Sequence, residues 1–165
     1  MTARHSSLAR SLMSEELLIT RVFDAPREVV WEAWTDPARF MLWWGPEGFA
    51  CPECRIDLRA GRKYLYCMRS PEGQEYWNTG VYRVIVPTKR MVWNHSFADE
   101  KGNVVAASYY GMRGYWPVVT VVTVTFEKDD GETILTLQHN GIPPVMKSGY
   151  EAGWSGSFAK LARIL

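Results

Sequence analysis

The chain has 165 residues and a formal charge of +1, with basic and acidic residues mixed along its length. A single domain of that size buries roughly 70% of the surface its unfolded chain would expose. The balanced charge argues against nucleic acid or a membrane surface as partner. No apolar run reaches the ~18 residues needed to span a bilayer. Three cysteines and no secretory signal imply reduced thiols and a cytoplasmic location.

The opening MTARHSSLARSLMS has no apolar signal-peptide core and reads as a flexible tail over 1–14, ahead of one domain over 15–165. Glu16 to Phe23 (ELLITRVF) reads as a strand. The next segment, FDAPREVVWEAWTDPARFMLWWGPEGF, holds two helix starts and a stop. Asp24 or Ala25 caps a helix with Pro26 in its first turn, where a missing N–H costs nothing. Thr35 or Asp36 with Pro37 repeats the device, and Gly45-Pro46 ends it. Trp34 and Trp43 read as scaffold, Trp31 as partly exposed and Trp44 as a pocket residue.

Phe49 to Leu58 is a second strand, irregular at Pro52. Arg62 to Ser70 alternates, with Tyr64, Tyr66 and Met68 on one face, and Pro71-Glu72-Gly73 turns it. Glu75 to Val86 and Met91 to Phe97 form another pair, in which Trp93, His95 and Phe97 share a face. Asp99 to Pro117 is a long loop rich in glycine and aromatic residues, read as a lid or an interface. Val118 to Glu127 and Thr133 to Asn140 are strands joined at Asp130-Gly131. Val145 to Leu165 is a helix whose Tyr150, Trp154, Phe158, Leu161 and Leu165 make one apolar stripe. Gly149, Gly153 and Gly156 within it each cost roughly 1 kcal/mol and imply that a backbone or a ligand comes close. A mostly antiparallel sheet must cover that stripe.

The order of elements, together with DLRAG at Asp57–Gly61, GVYRVIVPTKRMVW at Gly80–Trp93, TVTFE at Thr123–Glu127, TLQHNGIP and EAGW at Glu151–Trp154, resembles the heat-shock-protein-90 ATPase activator homologue family. That family belongs to the START-like, helix-grip (SRPBCC) superfamily. The resemblance implies an α+β fold: a curved antiparallel sheet of six to seven strands around a long C-terminal helix, with two short helices after the first strand. It also implies a cavity beneath the helix. Superfamily members bind apolar ligands there, and some are cyclases, hydratases or chaperone regulators.

Catalytic signals are sparse. His95 and His139 lie on interior faces and are candidates for general acid–base work or for orienting a ligand. Cys51 and Cys54 would point to opposite faces of a regular strand, unless a bulge at Pro52 intervenes, and no metal or cofactor is expected. Glu53, Arg55 and Asp57 read as a solvated strand face or a charged cavity mouth. The convergent set is aromatic: Trp44, Tyr64, Tyr66, Met68, Trp77, Trp93, His95, Phe97, Tyr110, Trp116, His139, Trp154 and Phe158 are assigned to a ligand pocket. The leading expectation is non-enzymatic binding of a small apolar or aromatic molecule, gated by Tyr109 to Trp116. The alternatives are a cyclase- or hydratase-like enzyme using a cavity histidine, and a module that contacts a chaperone ATPase. Exposed aromatics would equally serve a homodimer.

Overall fold

The computed structural model describes residues 16–165, so the expected tail lies outside the described residues. The elements are β1 (Glu16–Phe23), α1 (Arg27–Thr35), α2 (Pro37–Phe40), β2 (Ala50–Ile56), β3 (Lys63–Arg69), β4 (Glu75–Val86), β5 (Arg90–Ala98), β6 (Thr120–Asp129), β7 (Glu132–Asn140) and α3 (Lys147–Ile164). The strands form one antiparallel sheet in the order β1-β7-β6-β5-β4-β3-β2. β1 pairs with β7, Leu17 opposite His139 and Ile19 opposite Leu137. The chain therefore leaves β1 at one edge and resumes at the other, and α1 and α2 carry it across.

The first helix starts one residue later than its sequence suggests. Pro26, at ψ 149°, is the N-cap rather than part of the first turn. It has no capping side chain, but its carbonyl accepts from the amides of Val29 and Val30 at 3.0 and 3.1 Å. Asp36 caps α2 as expected, accepting from the Ala38 amide at 3.1 Å. Val30, Trp31, Ala33 and Trp34 turn one face of α1 into the core. Trp31 is thus buried, a correction to the expected partial exposure: its ring meets Phe126 of β6 edge-on at 5.3 Å. Trp34 and Trp43 are scaffold, packed at 4.8 Å, and the Trp43 indole donates to the Ala33 carbonyl at 2.8 Å.

Alternation along the strands sends Leu17, Ile19, Val122, Val124, Leu135 and Leu137 inward, where Phe158 and Leu161 of α3 join them in the core. Each such side chain, fully buried, stabilises the fold by roughly 1.5–3 kcal/mol. β2 carries the anticipated irregularity: its register with β3 shifts between Ala50 and Glu53. The bulge corrects the expectation that the two thiols diverge. Cys51 sits in the core and Cys54 packs against it. Burial pushes both thiols up to about 12, so they are protonated and unreactive near neutrality. Among the described residues no cluster of His, Cys, Asp or Glu could hold a metal ion. Glu53 and Arg55 pair at 2.8 Å, and Asp57 and Arg59 at 2.6 Å, on solvated side chains.

The long loop after β5 divides its work. Asp99 organises its start, accepting from the amides of Lys101 and Asn103. Gly102 then lies against Leu65 on the back of the sheet. The second half comes round to the front.

Candidate functional site

Between α3 and the β3–β4–β5 part of the sheet lies a cavity of about 620 Å³. The sheet contributes Tyr66, Met68, Tyr76, Asn78, His95, Phe97 and His139; the turn after α2 contributes Trp44, Gly45, Pro46 and Phe49. The far wall is the N-terminal half of α3, with Tyr150, Gly153, Trp154 and Ser157. Val145, Met146, Ser148 and Gly149 border it beside Met112 and Trp116 of the long loop. None of these lining residues carries a formal charge.

Eight residues of the expected set line this space: Trp44, Tyr66, Met68, His95, Phe97, Trp116, His139 and Trp154. Five do not. Trp77 points away, because on β4 the inward positions are Tyr76 and Asn78, while Trp77 pairs with Cys67 and Ala98 on the reverse face. Tyr64 and Trp93 lie where α1 and α2 fill the sheet; they border only a void of about 20 Å³, closed by Trp34, Phe40 and Tyr82. Phe158 is core, packed on Phe23 and Trp34. Tyr110 acts as a pin: its hydroxyl accepts from the Trp77 amide at 3.0 Å and donates to the Ala98 carbonyl. The loop is thus tied down, and Tyr109 and Tyr115, 61% and 77% exposed, stand off the cavity. Only Met112 and Trp116 represent the expected lid at the opening.

The residues that sequence reasoning missed are mostly on α3 and its preceding turn. The helix glycines were the available signal. Gly149 and Gly153 line the cavity, whereas Gly156 faces the backbone of Glu47, whose amide nitrogen would lie 2.8 Å from an added Cβ.

The turn that carries Trp44 to Phe49 is held by one lysine. Lys160 Nζ donates toward the carbonyls of Phe49 (2.8 Å), Gly45 (3.1 Å), Trp44 (3.3 Å) and Pro46 (3.4 Å). Burial depresses its pKa, and the nearby Glu47 carboxylate opposes that shift. Arg163 adds a 2.8 Å pair to Glu47 in the same turn. Replacing Lys160 with methionine keeps the aliphatic stem and abandons four carbonyls. It should cost about 2 kcal/mol and lower Tm by about 4–8 °C, read by thermal melting. An unchanged melt would mean that the carbonyls find water at no cost.

The polar groups in the wall have defined roles. The indole of Trp154 donates to His139 Nδ1 at 3.1 Å. An indole can only donate, so Nδ1 is bare and the neutral ring holds its proton on Nε2, which donates to Thr120 Oγ1 at 2.7 Å. Both nitrogens are spent. Burial pushes His139 down to about 3.

His95 is different. Its Nδ1 faces the hydroxyls of Tyr64 (3.2 Å) and Tyr66 (3.3 Å). Tyr64 gives its proton to the Asn94 carbonyl at 2.8 Å, so toward His95 it can only accept. Tyr66 can give or take. Nε2 has no partner among the described residues, on a ring that lines the cavity. His95 can therefore present either an N–H or a lone pair to an occupant, with Tyr66 adjusting behind it. Burial pushes its pKa down to about 4, so it is neutral near pH 7. Trp44 Nε1 is buried with no hydrogen-bond partner among the described residues, and burial holds the neighbouring Tyr66 phenol protonated, well above its ordinary range.

Comparison with known proteins places this arrangement. The family model described as "Activator of Hsp90 ATPase homolog 1-like protein" matches residues 24–165. The chain belongs to that family. A crystal structure of a protein from Chromobacterium violaceum is 26% identical, with a TM-score of 0.75 over 91% of this chain and 96% of that one. The AHSA1 protein from Silicibacter pomeroyi is also 26% identical, with a TM-score of 0.73 over 90% and 95%. A protein from Mycobacterium smegmatis, 24% identical with a TM-score of 0.76 over 93% and 92%, shares the fold. A comparison with curated proteins returned no match. This member of the Activator of Hsp90 ATPase homolog 1-like family thus has the helix-grip fold that its motifs imply, with seven strands and α3 seated against them. Among its described residues no helix is long and apolar enough to cross a membrane.

Proposed function

We propose that the protein binds one small, uncharged, largely apolar molecule in the cavity beneath α3 without transforming it. The observation that carries this reading is the space of about 620 Å³ walled by tryptophan, tyrosine, phenylalanine and methionine, with few polar tips and no charged side chain among the described residues. Small-molecule sites run to about 300–1,000 Å³ with such a wall. An ion buried there would lack a counter-charge and be strongly disfavoured. Catalysis finds less support. His139 has no free nitrogen, and among the described residues no carboxylate borders the cavity to serve as partner to His95.

The reading is tested by titrating uncharged and anionic partners of one chain length, such as 1-decanol and decanoate, while following tryptophan fluorescence and Tm. Trp44, Trp116 and Trp154 line the space and should report occupancy. The alcohol should raise Tm and bind at least about tenfold more tightly than the acid. Silence with both, or preference for the acid, would sink the reading. Family membership favours a second reading, contact with a chaperone ATPase. It predicts that the protein changes the partner's rate of ATP turnover.

A further inference from the structure

Asn78 stands in the middle of the cavity's sheet wall, between Tyr66 on β3 and Phe97 on β5. It is 1% exposed. Neither its Oδ1 nor its Nδ2 has a hydrogen-bond partner among the described residues. Nearly all buried polar groups in native proteins are paired, and each end of a buried amide left open destabilises the fold. A leucine in the same place would carry no such cost. Two neighbouring polar groups of the wall are already committed: His139 is spent on Trp154 and Thr120, and Ser157 donates to its own helix at Gly153. Asn78 borders the cavity, and a polar group on a bound molecule there is a candidate partner for its amide.

We propose that Asn78 reads a cis-amide, that is, a lactam or a primary carboxamide, on the ligand. This rests on the cavity-binding reading above and narrows it. A group with N–H and C=O side by side pairs with both ends of the asparagine amide at once, as amides pair with each other. A ketone or ester can only accept, and so leaves Oδ1 open; an alcohol donates and accepts through a single oxygen and cannot align with both ends as a cis-amide does. A carboxylate would bring a charge that nothing in the wall neutralises, since the neighbouring Lys160 is spent on four backbone carbonyls. His95 lies two residues before Phe97 on β5, diagonal to Asn78, a spacing of about 7–8 Å between strand positions. Its unpartnered Nε2 is thus placed to take a second polar group on the far side of a ring-sized ligand, as donor or as acceptor.

Three probes of one shape decide it: 2-quinolinone, which carries the lactam N–H and C=O; N-methyl-2-quinolinone, which lacks the donor; and naphthalene, which lacks both. Their affinities are measured by calorimetry on the full chain and on Asn78→Leu. In the natural protein 2-quinolinone should bind at least about tenfold more tightly than its N-methyl form, the margin of one to two buried hydrogen bonds. In Asn78→Leu that margin should vanish while naphthalene still binds. The ligand-free variant should melt about 2–4 °C higher, because an unpaired amide has been removed. Naphthalene binding with no lactam preference in the natural protein would overturn the Asn78 assignment and leave the cavity reading standing. A preference that survives Asn78→Leu would overturn it too. If none of the three binds, the cavity reading falls and the lactam with it. The comparison in the natural protein needs no variant, so a poorly folding Asn78→Leu would not blunt the test.

Discussion

Gly80→Ala should destabilise the protein by about 3–4 kcal/mol and lower Tm by roughly 10 °C. A Cβ built on Gly80 would fall 1.7 Å from the Asn94 carbonyl oxygen and 2.8 Å from the Tyr64 hydroxyl. Those are the two atoms that bond to each other at 2.8 Å. One methyl group therefore drives β4 from β5 and wedges open the Tyr64–Asn94 contact. Overpacking alone costs about 1–3 kcal/mol, at times more, and the lost hydrogen bond about 1 kcal/mol more. Tyr64→Phe separates the two contributions, since it removes the hydrogen bond and adds no bulk. Urea unfolding of both variants reads the difference. A Gly80→Ala protein within 1 kcal/mol of the natural one would show that the strands part freely there. Because the Tyr64 hydroxyl also fronts His95 Nδ1, the same variant should disturb the cavity's adjustable nitrogen.

Acid should weaken the fold before any carboxylate is protonated. His139 and His95 are held at about 3 and about 4, against about 6.5 in an unfolded chain. Both folded values lie below the unfolded one, so below pH 6.5 the unfolded chain takes up protons that the native state refuses. The stability they preserve is complete above pH 6.5 and is lost as the pH falls toward the folded values. From pH 7 to 5 linkage gives about 2 kcal/mol for a histidine shifted this far. His139, 1% exposed and boxed in by Trp154 and Thr120, should show it in full. His95 opens on the cavity, where water can solvate an imidazolium, and its share is smaller. Urea midpoints at pH 7.5, 6 and 5 measure the slope, and His139→Gln should flatten much of it. A level profile across that range in the natural protein would contradict a neutral buried pair.

The fold was legible because its signals are local and repeated. Proline with a capping residue marked α2, alternation marked β3 and β7, a run of β-branched residues marked β6, and a four-four-three-four stripe marked α3. Where the reading slipped, the cause was also local. Nothing in GQEYWNTG says whether Tyr76 and Asn78 or Trp77 faces inward, and the larger ring drew the assignment. A shift of one position reverses every face. Tyr64 and Trp93 were placed on the correct face but at the wrong depth, since depth is set by where α1 and α2 dock. The role of Lys160 was out of reach for the same reason: its four acceptors lie 111 to 116 positions earlier in the chain. Asn78 was invisible because an unsatisfied amide has no sequence pattern. It is defined by what surrounds it.

The pairing of the first strand with the last has a consequence for how the protein is made. Glu16 meets its partner Gln138 across 122 positions of chain. Translation at about 5–20 residues per second leaves β1 waiting roughly 6 to 25 s for β7 to leave the ribosome. During that time Leu17 and Ile19, buried in the finished sheet, have no covering strand, and an unpaired apolar edge invites misassociation. The β2–β6 meander can close behind them without β1. The nascent chain thus passes through a stage with five strands assembled and its earliest segment still open, a stage at which a folding helper would find its natural grip.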